Sequence, residues 1–190
     1  LLFSGYLFLK AVCTDLDRAE RTIELETYIF DLDALGQLVL DRLREAAKRG
    51  VTVRILVDGF GSMFWTQETI DSLKQAGVEA RIYHSMGALK RLNRRNHRKT
   101  CVIDGEIAFV GGMNISRRHS AILAGGEAWR DTSARVTGPH VSLLRLAFYS
   151  AWKERDENED LPALHSKHAE VAERWVLLNF TSSKRRQLMR

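Results

Sequence analysis

Residues 96–116 read NHRKTCVIDGEIAFVGGMNIS. The run sets His97, Lys99 and Asp104 close together, with Gly111, Gly112 and Asn114 just behind. Alternation in CVID and IAFV reads as two strands, joined by Asp104-Gly105, a tight-turn signal. On a strand, residues two apart point the same way, so His97 and Lys99 share a face. Asn114 follows the Gly-Gly bend, which can carry it back toward that face. An imidazole, an ammonium and an amide then converge on one place. Such a set suits phosphate-ester chemistry without a metal: a nucleophile or proton carrier, plus two donors for phosphoryl oxygens.

The flanking sequence supplies a frame for this run. A helix is expected over 8–21, a strand over 22–30 and a helix over 34–49 that stops at Gly50. A strand over 51–57 closes at Asp58-Gly59. A helix over 67–76, stopped by Gly77, leads to a strand over 78–83. This β-α-β-α-β order argues for an α/β sheet with parallel neighbours joined by helices. A further strand is expected over 131–136, and Gly138-Pro139 opens a helix running to about Trp152. The charged stretch 153–160 (KERDENED) reads as the start of a linker.

The chain has 190 residues, 45% apolar and 28% charged, which is the composition of a globular protein. Its net charge of +5 suits an anionic partner, either phospholipid headgroups or nucleic acid. Cys13 and Cys101 lie far apart with no metal or redox spacing and read as reduced thiols, Cys101 buried. The apolar opening LLFSGYLFLKAVC is broken by Ser4, Gly5 and Lys10 and is too short to span a bilayer. It has no basic lead-in, so no signal peptide is expected. With no initiator Met, the chain reads as a piece of a longer protein.

With every signature position filled, residues 96–116 resemble the motif of the phospholipase D superfamily. The likeness extends over most of 1–155. Glu26-Thr27-Tyr28-Ile29-Phe30, Arg49-Gly50-Val51 and Asp58-Gly59-Phe60-Gly61-Ser62 are similar to the bacterial cardiolipin synthases. So are Arg95-Asn96-His97-Arg98-Lys99, Trp129-Arg130-Asp131 and Gly138-Pro139. The resemblance implies a mixed β-sheet flanked by helices on both faces. It also implies a transphosphatidylase needing no metal or other cofactor. A histidine attacks one phosphatidylglycerol, giving a phosphatidyl-histidine and releasing glycerol. The hydroxyl of a second phosphatidylglycerol then takes the phosphatidyl group, giving cardiolipin.

Members of this kind carry two such motifs, and this chain has one. The expected division is a catalytic first half over 1–155, a linker over 156–173 and the start of a second, truncated half over 174–190. The other half would come in cis or from a homodimer. The expected partner is anionic phospholipid at a membrane surface. The expected place is the bacterial cell membrane, as a peripheral, cytoplasm-facing domain. Two further readings stand beside this: a dimeric phosphodiesterase acting on nucleic acid, which is the less favoured partner, and an inactive headgroup-binding half-domain.

The resemblance assigns His97 as nucleophile and Lys99 as the holder of a nonbridging oxygen. Asn114 is either a similar donor or the cap of an Asx turn. Asp104 occupies a signature position of the catalytic set. It lies beside the turn, five residues past Lys99, and reads as a structural lock on the hairpin. Asp131 is the expected orienting acid for His97, on a strand after the motif; the alternative is an ion pair with Arg130 or Arg135. Gly111, Gly112, Ser116 and Glu26 complete the set as substrate-binding candidates, and Glu26 is also a second candidate for the orienting acid. The basic run 90–99 either gathers headgroups or is a solvated loop. Phe60, Met63, Phe64 and Trp65 either dip into the membrane interface or pack on the core.

Overall fold

Ser4 accepts a hydrogen bond from the Leu7 N–H at 3.3 Å and so starts α1, Gly5–Arg18. In the computed structural model, which describes residues 1–83, 96–120, 124 and 128–153, local signals of this kind set most element boundaries. After β1 (Thr22–Thr27), Asp33 caps α2 (Ala34–Lys48) by accepting from Leu35 and Gly36, each at 3.0 Å. The buried positions of α2, Leu35, Val39, Leu40, Leu43 and Ala46, recur with the helical period. Gly50 closes this helix at φ 92°, a left-handed conformation that favours glycine. Next come β2 (Thr52–Asp58), α3 (Gln67–Gln75) and β3 (Val78–Tyr83). The second half of the sheet is β4 (Thr100–Ile103), β5 (Ile107–Gly111) and β6 (Ser133–Thr137), with a 3₁₀ turn at Arg117–His119. The last described element is α4 (His140–Trp152).

The six strands form one sheet in the order β3-β2-β1-β4-β5-β6. β1, β2 and β3 run parallel, joined by α2 and α3, while β4, β5 and β6 alternate in direction. Asp104 and Gly105 make the β4–β5 turn with φ of 54° and 69°, the paired positive values of a tight hairpin. Helices cover both faces. On one, Phe8, Val12 and Leu16 of α1 and Leu40 and Leu43 of α2 pack on Ile23, Leu25, Ile55, Ile103 and Phe109. On the other, Val141, Phe148 and Trp152 of α4 cover Val102, Ala108 and Leu56. Each such side chain contributes about 1.5–3 kcal/mol on burial. The sheet is therefore mixed and flanked on both faces, as the resemblance implies.

β1 is the central strand and is buried on both sides. Its alternation puts Ile23 and Leu25 toward α1 and α2, and Glu24 and Glu26 toward α4. Glu24, 0% exposed, accepts from Arg145 at 2.9 and 3.0 Å and from the Tyr149 hydroxyl at 3.1 Å, all on α4. An unpaired carboxylate there would be prohibitively costly, so this link fixes α4 on the sheet.

Three expected boundaries move. The strand expected over 22–30 stops at Thr27, because the Asn114 side-chain oxygen replaces a strand as partner of the Ile29 N–H at 3.0 Å. The strand holding the motif begins at Thr100, so His97 and Lys99 precede it. Asp131 lies two residues before β6 rather than on it. The linker expected over 156–173 and the second-half start over 174–190 lie outside the described residues, as does 90–95 of the basic run.

Asp104 sits at the end of the sheet opposite His97, and it is not part of a shared site. Its carboxylate accepts from the backbone N–H groups of Glu20 (3.0 Å), Arg21 (2.7 Å) and Thr22 (2.9 Å). It thus ties the α1–β1 connection to the hairpin, a wider lock than the hairpin alone. Burial pushes its pKa up, but the N–H donors of Thr22, Glu20 and Arg21, with the Arg21 charge, hold it below the usual range. A depressed folded pKa gives stability that is present above the unfolded value of about 3.9 and lost as pH falls through the folded value. Asp104→Asn keeps the left-handed tolerance and removes the charge. It is expected to lower the unfolding free energy by about 1–2 kcal/mol at pH 7. In urea titrations the gap from wild type should close as the pH is taken down through the acid range.

Candidate active site

The open α/β architecture gathers ligand-facing groups outside the carboxyl ends of its parallel strands. Here those ends carry Glu26 and Thr27 on β1, Tyr28 just after it and Asp58 on β2, and residues 96–99 run into β4 at the same place. Glu26 and Asp58 are 1% and 0% exposed. Both hold Asn96. Its backbone N–H donates to Asp58 Oδ2 at 3.0 Å, and its side-chain amide donates to Glu26 Oε1. Glu26 also accepts from Arg98 at 2.7 and 3.2 Å and from the Thr100 hydroxyl at 3.3 Å. The other Asp58 oxygen takes the N–H groups of Phe60 and Gly61. Glu26 makes no hydrogen bond to the His97 ring among the described residues: its oxygens are engaged in holding the segment that carries His97.

From that clamp the exposed His97 ring lies against Tyr28, centroids 4.5 Å apart at 49°. Buried Lys99 curls back, its Nζ 2.7 Å from the His97 carbonyl and 3.2 Å from His97 Nδ1. The same Nζ is 5.2 Å from the Tyr28 ring centroid. The expected pairing of His97 with Lys99 thus holds without a strand beneath it. An ammonium only donates, so Nδ1 accepts and the neutral ring carries its proton on Nε2. Burial, then the Lys99 charge, lower the His97 pKa against an opposing pull from Asp58. Burial lowers Lys99 to about 8, although Asp131 and Asp58 favour its charged form.

Asn114 is buried behind this pair. Its Oδ1 accepts from Ile29 N–H, and its Nδ2 lies 3.5 Å from His119 Nε2. The amide thus fixes the β1–α2 connection and reaches His119. Gly111 and Gly112 permit close approach of neighbouring segments. A Cβ at Gly111 would fall 2.5 Å from Ser133, and one at Gly112 within 2.1–2.4 Å of the Asp131 carboxyl. Asp131 is seated on Gly112, close enough to favour the charged forms of Lys99 and His119. Its Oδ1 accepts from the Thr132 N–H at 2.7 Å, and among the described residues it makes no hydrogen bond to His97. The alternative partner Arg135 is bound to Asp15 instead, at 2.6 Å.

Ser116 is not brought into the site. It is 0% exposed, donates to Asp31 at 2.5 Å and accepts from Arg118 N–H, which caps the 3₁₀ turn. Sequence reasoning missed Asp58, Asn96, Tyr28 and His119 as groups that build the site. For Asp58 a signal existed: an acid at the carboxyl end of an apolar strand, before glycine. His119 carries none; it is 3% exposed, meets Trp129 edge-on at 5.6 Å, and burial lowers its pKa. Among the described residues no three His, Cys, Asp or Glu side chains gather as metal ligands.

In an NMR titration of the imidazole Cε1–H signals, His97 is expected to titrate below the ordinary imidazole value of about 6.5. Lys99→Met should move it upward by removing the neighbouring charge. No movement would place the ammonium away from the ring in solution.

Residues 12–123 match the family described as cardiolipin synthase, PLD-like domain. A cardiolipin synthase of Clostridium perfringens is 34% identical over 163 residues, covering 84% of this chain and 34% of that protein. Cardiolipin synthase 1 of Staphylococcus aureus is 40% identical over 147 residues, 76% of this chain and 30% of that one. The chain therefore spans about a third of the length of these relatives. The crystal structure of Nuc from Salmonella typhimurium, a phospholipase D family member, superposes with a TM-score of 0.57 at 19% identity. It covers 79% of this chain and 90% of that one, a likeness of fold. With more than half of its length matched, the chain belongs to the cardiolipin synthase, PLD-like domain family.

Proposed function

We propose that the chain supplies one half of a phosphatidyl-transfer site that makes cardiolipin from two molecules of phosphatidylglycerol. The observation that carries this reading is the His97–Lys99 contact, held on buried carboxylates at the open end of the sheet. The relatives named cardiolipin synthase support the choice of substrate. His97 attacks phosphorus: an N–P bond forms, the P–O bond to glycerol breaks, and the departing alkoxide takes a proton. A histidine of a second motif gives that proton, then removes one from the incoming hydroxyl of the second lipid as its oxygen bonds phosphorus and the N–P bond to His97 breaks. The second motif comes from another phospholipase D-like half, in cis or from a second copy. Among the described residues no helix is long and apolar enough to cross a bilayer, and we place this domain peripherally, at the cytoplasmic face of a bacterial cell membrane.

Each remaining group has a part in this scheme. Attack by Nε2 needs the ring proton on Nδ1, the reverse of the tautomer that Lys99 favours. A phosphoryl oxygen draws the Lys99 ammonium away from Nδ1 and toward itself. The ring proton then exchanges through solvent from Nε2 to the freed Nδ1, which donates it to Asp131, the acid seated on Gly112. That bond stabilises the imidazolium-like charge of the intermediate. Asn114 offers its remaining N–H to a second phosphoryl oxygen.

The test uses the two-motif parent protein with phosphatidylglycerol vesicles. His97→Ala is expected to abolish both cardiolipin formation and the acid-labile phosphatidyl-enzyme. Undiminished cardiolipin output from that variant overturns the reading. Lys99→Met should lower kcat about a hundredfold or more, the scale of one lost oxyanion donor.

The pH profile of kcat/KM should be bell-shaped. Its acid limb falls below 6.5, where His97 protonates and loses its lone pair. Its alkaline limb falls near 8, where Lys99 loses the charge that holds the phosphoryl oxygen. Lys99→Arg should retain part of the rate and remove the limb near 8, because a guanidinium stays charged.

A further inference from the structure

His119 is a buried imidazole, 3% exposed, that takes no step in the transfer scheme. Several segments hold it in place. Its N–H donates to the Ser116 carbonyl at 3.1 Å, and its own carbonyl packs so closely on Gly5 that a Cβ there would fall 1.6 Å away. Its ring meets Trp129 edge-on at 5.6 Å. Its Nε2 lies 3.5 Å from Asn114 Nδ2. Its Nδ1 is buried with no hydrogen-bond partner among the described residues. An apolar side chain of similar size would pack there without an orphaned nitrogen, and an unpaired buried polar atom is costly. Packing alone therefore gives no reason for an imidazole.

The neighbouring amide gives one. Asn114 Oδ1 accepts from the Ile29 N–H at 3.0 Å, with the Thr27 hydroxyl 3.5 Å away. That arrangement turns the amide so that Nδ2, which only donates, faces His119. Nε2 must then accept, and Nδ1 must carry the ring proton. The other neutral tautomer sets N–H against N–H, and so does the imidazolium. Burial lowers the His119 pKa; Asp131 opposes this, Lys99 adds to it and Asp31 opposes it. The neutral ring thus ties down one of the two N–H groups of the amide and leaves the other with a fixed direction.

We propose that His119 is a positioning residue for phosphatidyl transfer: it accepts one N–H of Asn114 and so aims the other at the phosphoryl group under attack by His97. The proposal rests on the transfer reading, in which Asn114 donates to a second phosphoryl oxygen. A donor set in direction beforehand stabilises transition-state charge without reorganising, whereas a freely turning amide must first be ordered. Hydrogen bonds of this kind are often long in a free site and tighten when the substrate is bound.

Long-range ¹H–¹⁵N spectra of the 190-residue chain read the tautomer directly, with no variant needed. The His119 proton is expected on Nδ1, and a proton on Nε2 overturns the proposal. His119→Gln places a non-titrating acceptor, Oε1, where Nε2 stands, and should leave the Asn114 side-chain amide signals close to their wild-type positions. His119→Asn is too short to reach and should move them. In the two-motif parent, His119→Asn should lower kcat about ten- to a hundredfold with KM little changed, and His119→Gln should recover most of that loss. Urea unfolding of each variant checks that the fold is intact. Equal kcat in the two folded variants overturns the proposal, because a packing role needs no acceptor at the place of Nε2. In an Asn114→Ala background, His119→Asn should cost nothing further; additive losses overturn the proposal as well. A wild-type parent that makes no cardiolipin fails the transfer reading, whereas the tautomer in this chain decides whether His119 orients Asn114.

Discussion

One asparagine held between two buried carboxylates governs the site. Glu26 and Asp58 end adjacent parallel strands, and both hold Asn96. Neither could remain buried and charged without donors, and breaking such a group costs about 3–5 kcal/mol because it leaves a charge uncompensated. Residues 96–99 are not in a strand, yet they enter β4 on a fixed path because their donors have only this place to go. His97 projects from that path into solvent, while Lys99 turns back beneath it.

Burial then sets the chemistry of the pair. Partial burial against Tyr28 and then the Lys99 charge lower the imidazole, and fuller burial lowers the ammonium. His97 is kept neutral, as a nucleophile must be, and Lys99 is left close to the point of losing its proton. Asp131 and Asp58 keep the ammonium charged through the neutral range. Asp131 reaches its position only because Gly112 has no side chain. The Gly-Gly pair thus serves the placement of a carboxylate and the pairing of β5 with β6.

Much of the fold was legible along the chain. Periodicity and stops at Gly50 and Gly77 located α2 and α3 to within a residue, and Asp-Gly turns located the hairpin. These are local signals, read by nearest neighbours. The misplacements share a cause. β1 stops at Thr27 because Asn114, distant in sequence, supplies the next acceptor. Trp65, expected with its neighbours at the surface or in the core, is 5% exposed and donates to the Phe30 carbonyl, while Met63 and Phe64 beside it stay exposed. Ser116 and Glu26 look free to bind a ligand until their partners Asp31, Asn96 and Arg98 arrive from other segments. A polar residue's role depends on whether its hydrogen-bonding capacity is already used, and a linear reading cannot count partners brought by folding.

The sequence by itself determined the residue types and spacing of residues 96–116, the β-α-β frame and, through these, the family. Chemistry of that kind is carried by which groups are present and by local periodicity. Only the tertiary structure decided which groups meet. It separated Asp104 from His97 by placing them at opposite ends of the sheet, and it brought in Asp58, Tyr28 and His119. The reason is geometric: a strand delivers its two ends to opposite sides of the molecule, so neighbours in sequence are parted while residues far apart in the chain share one edge.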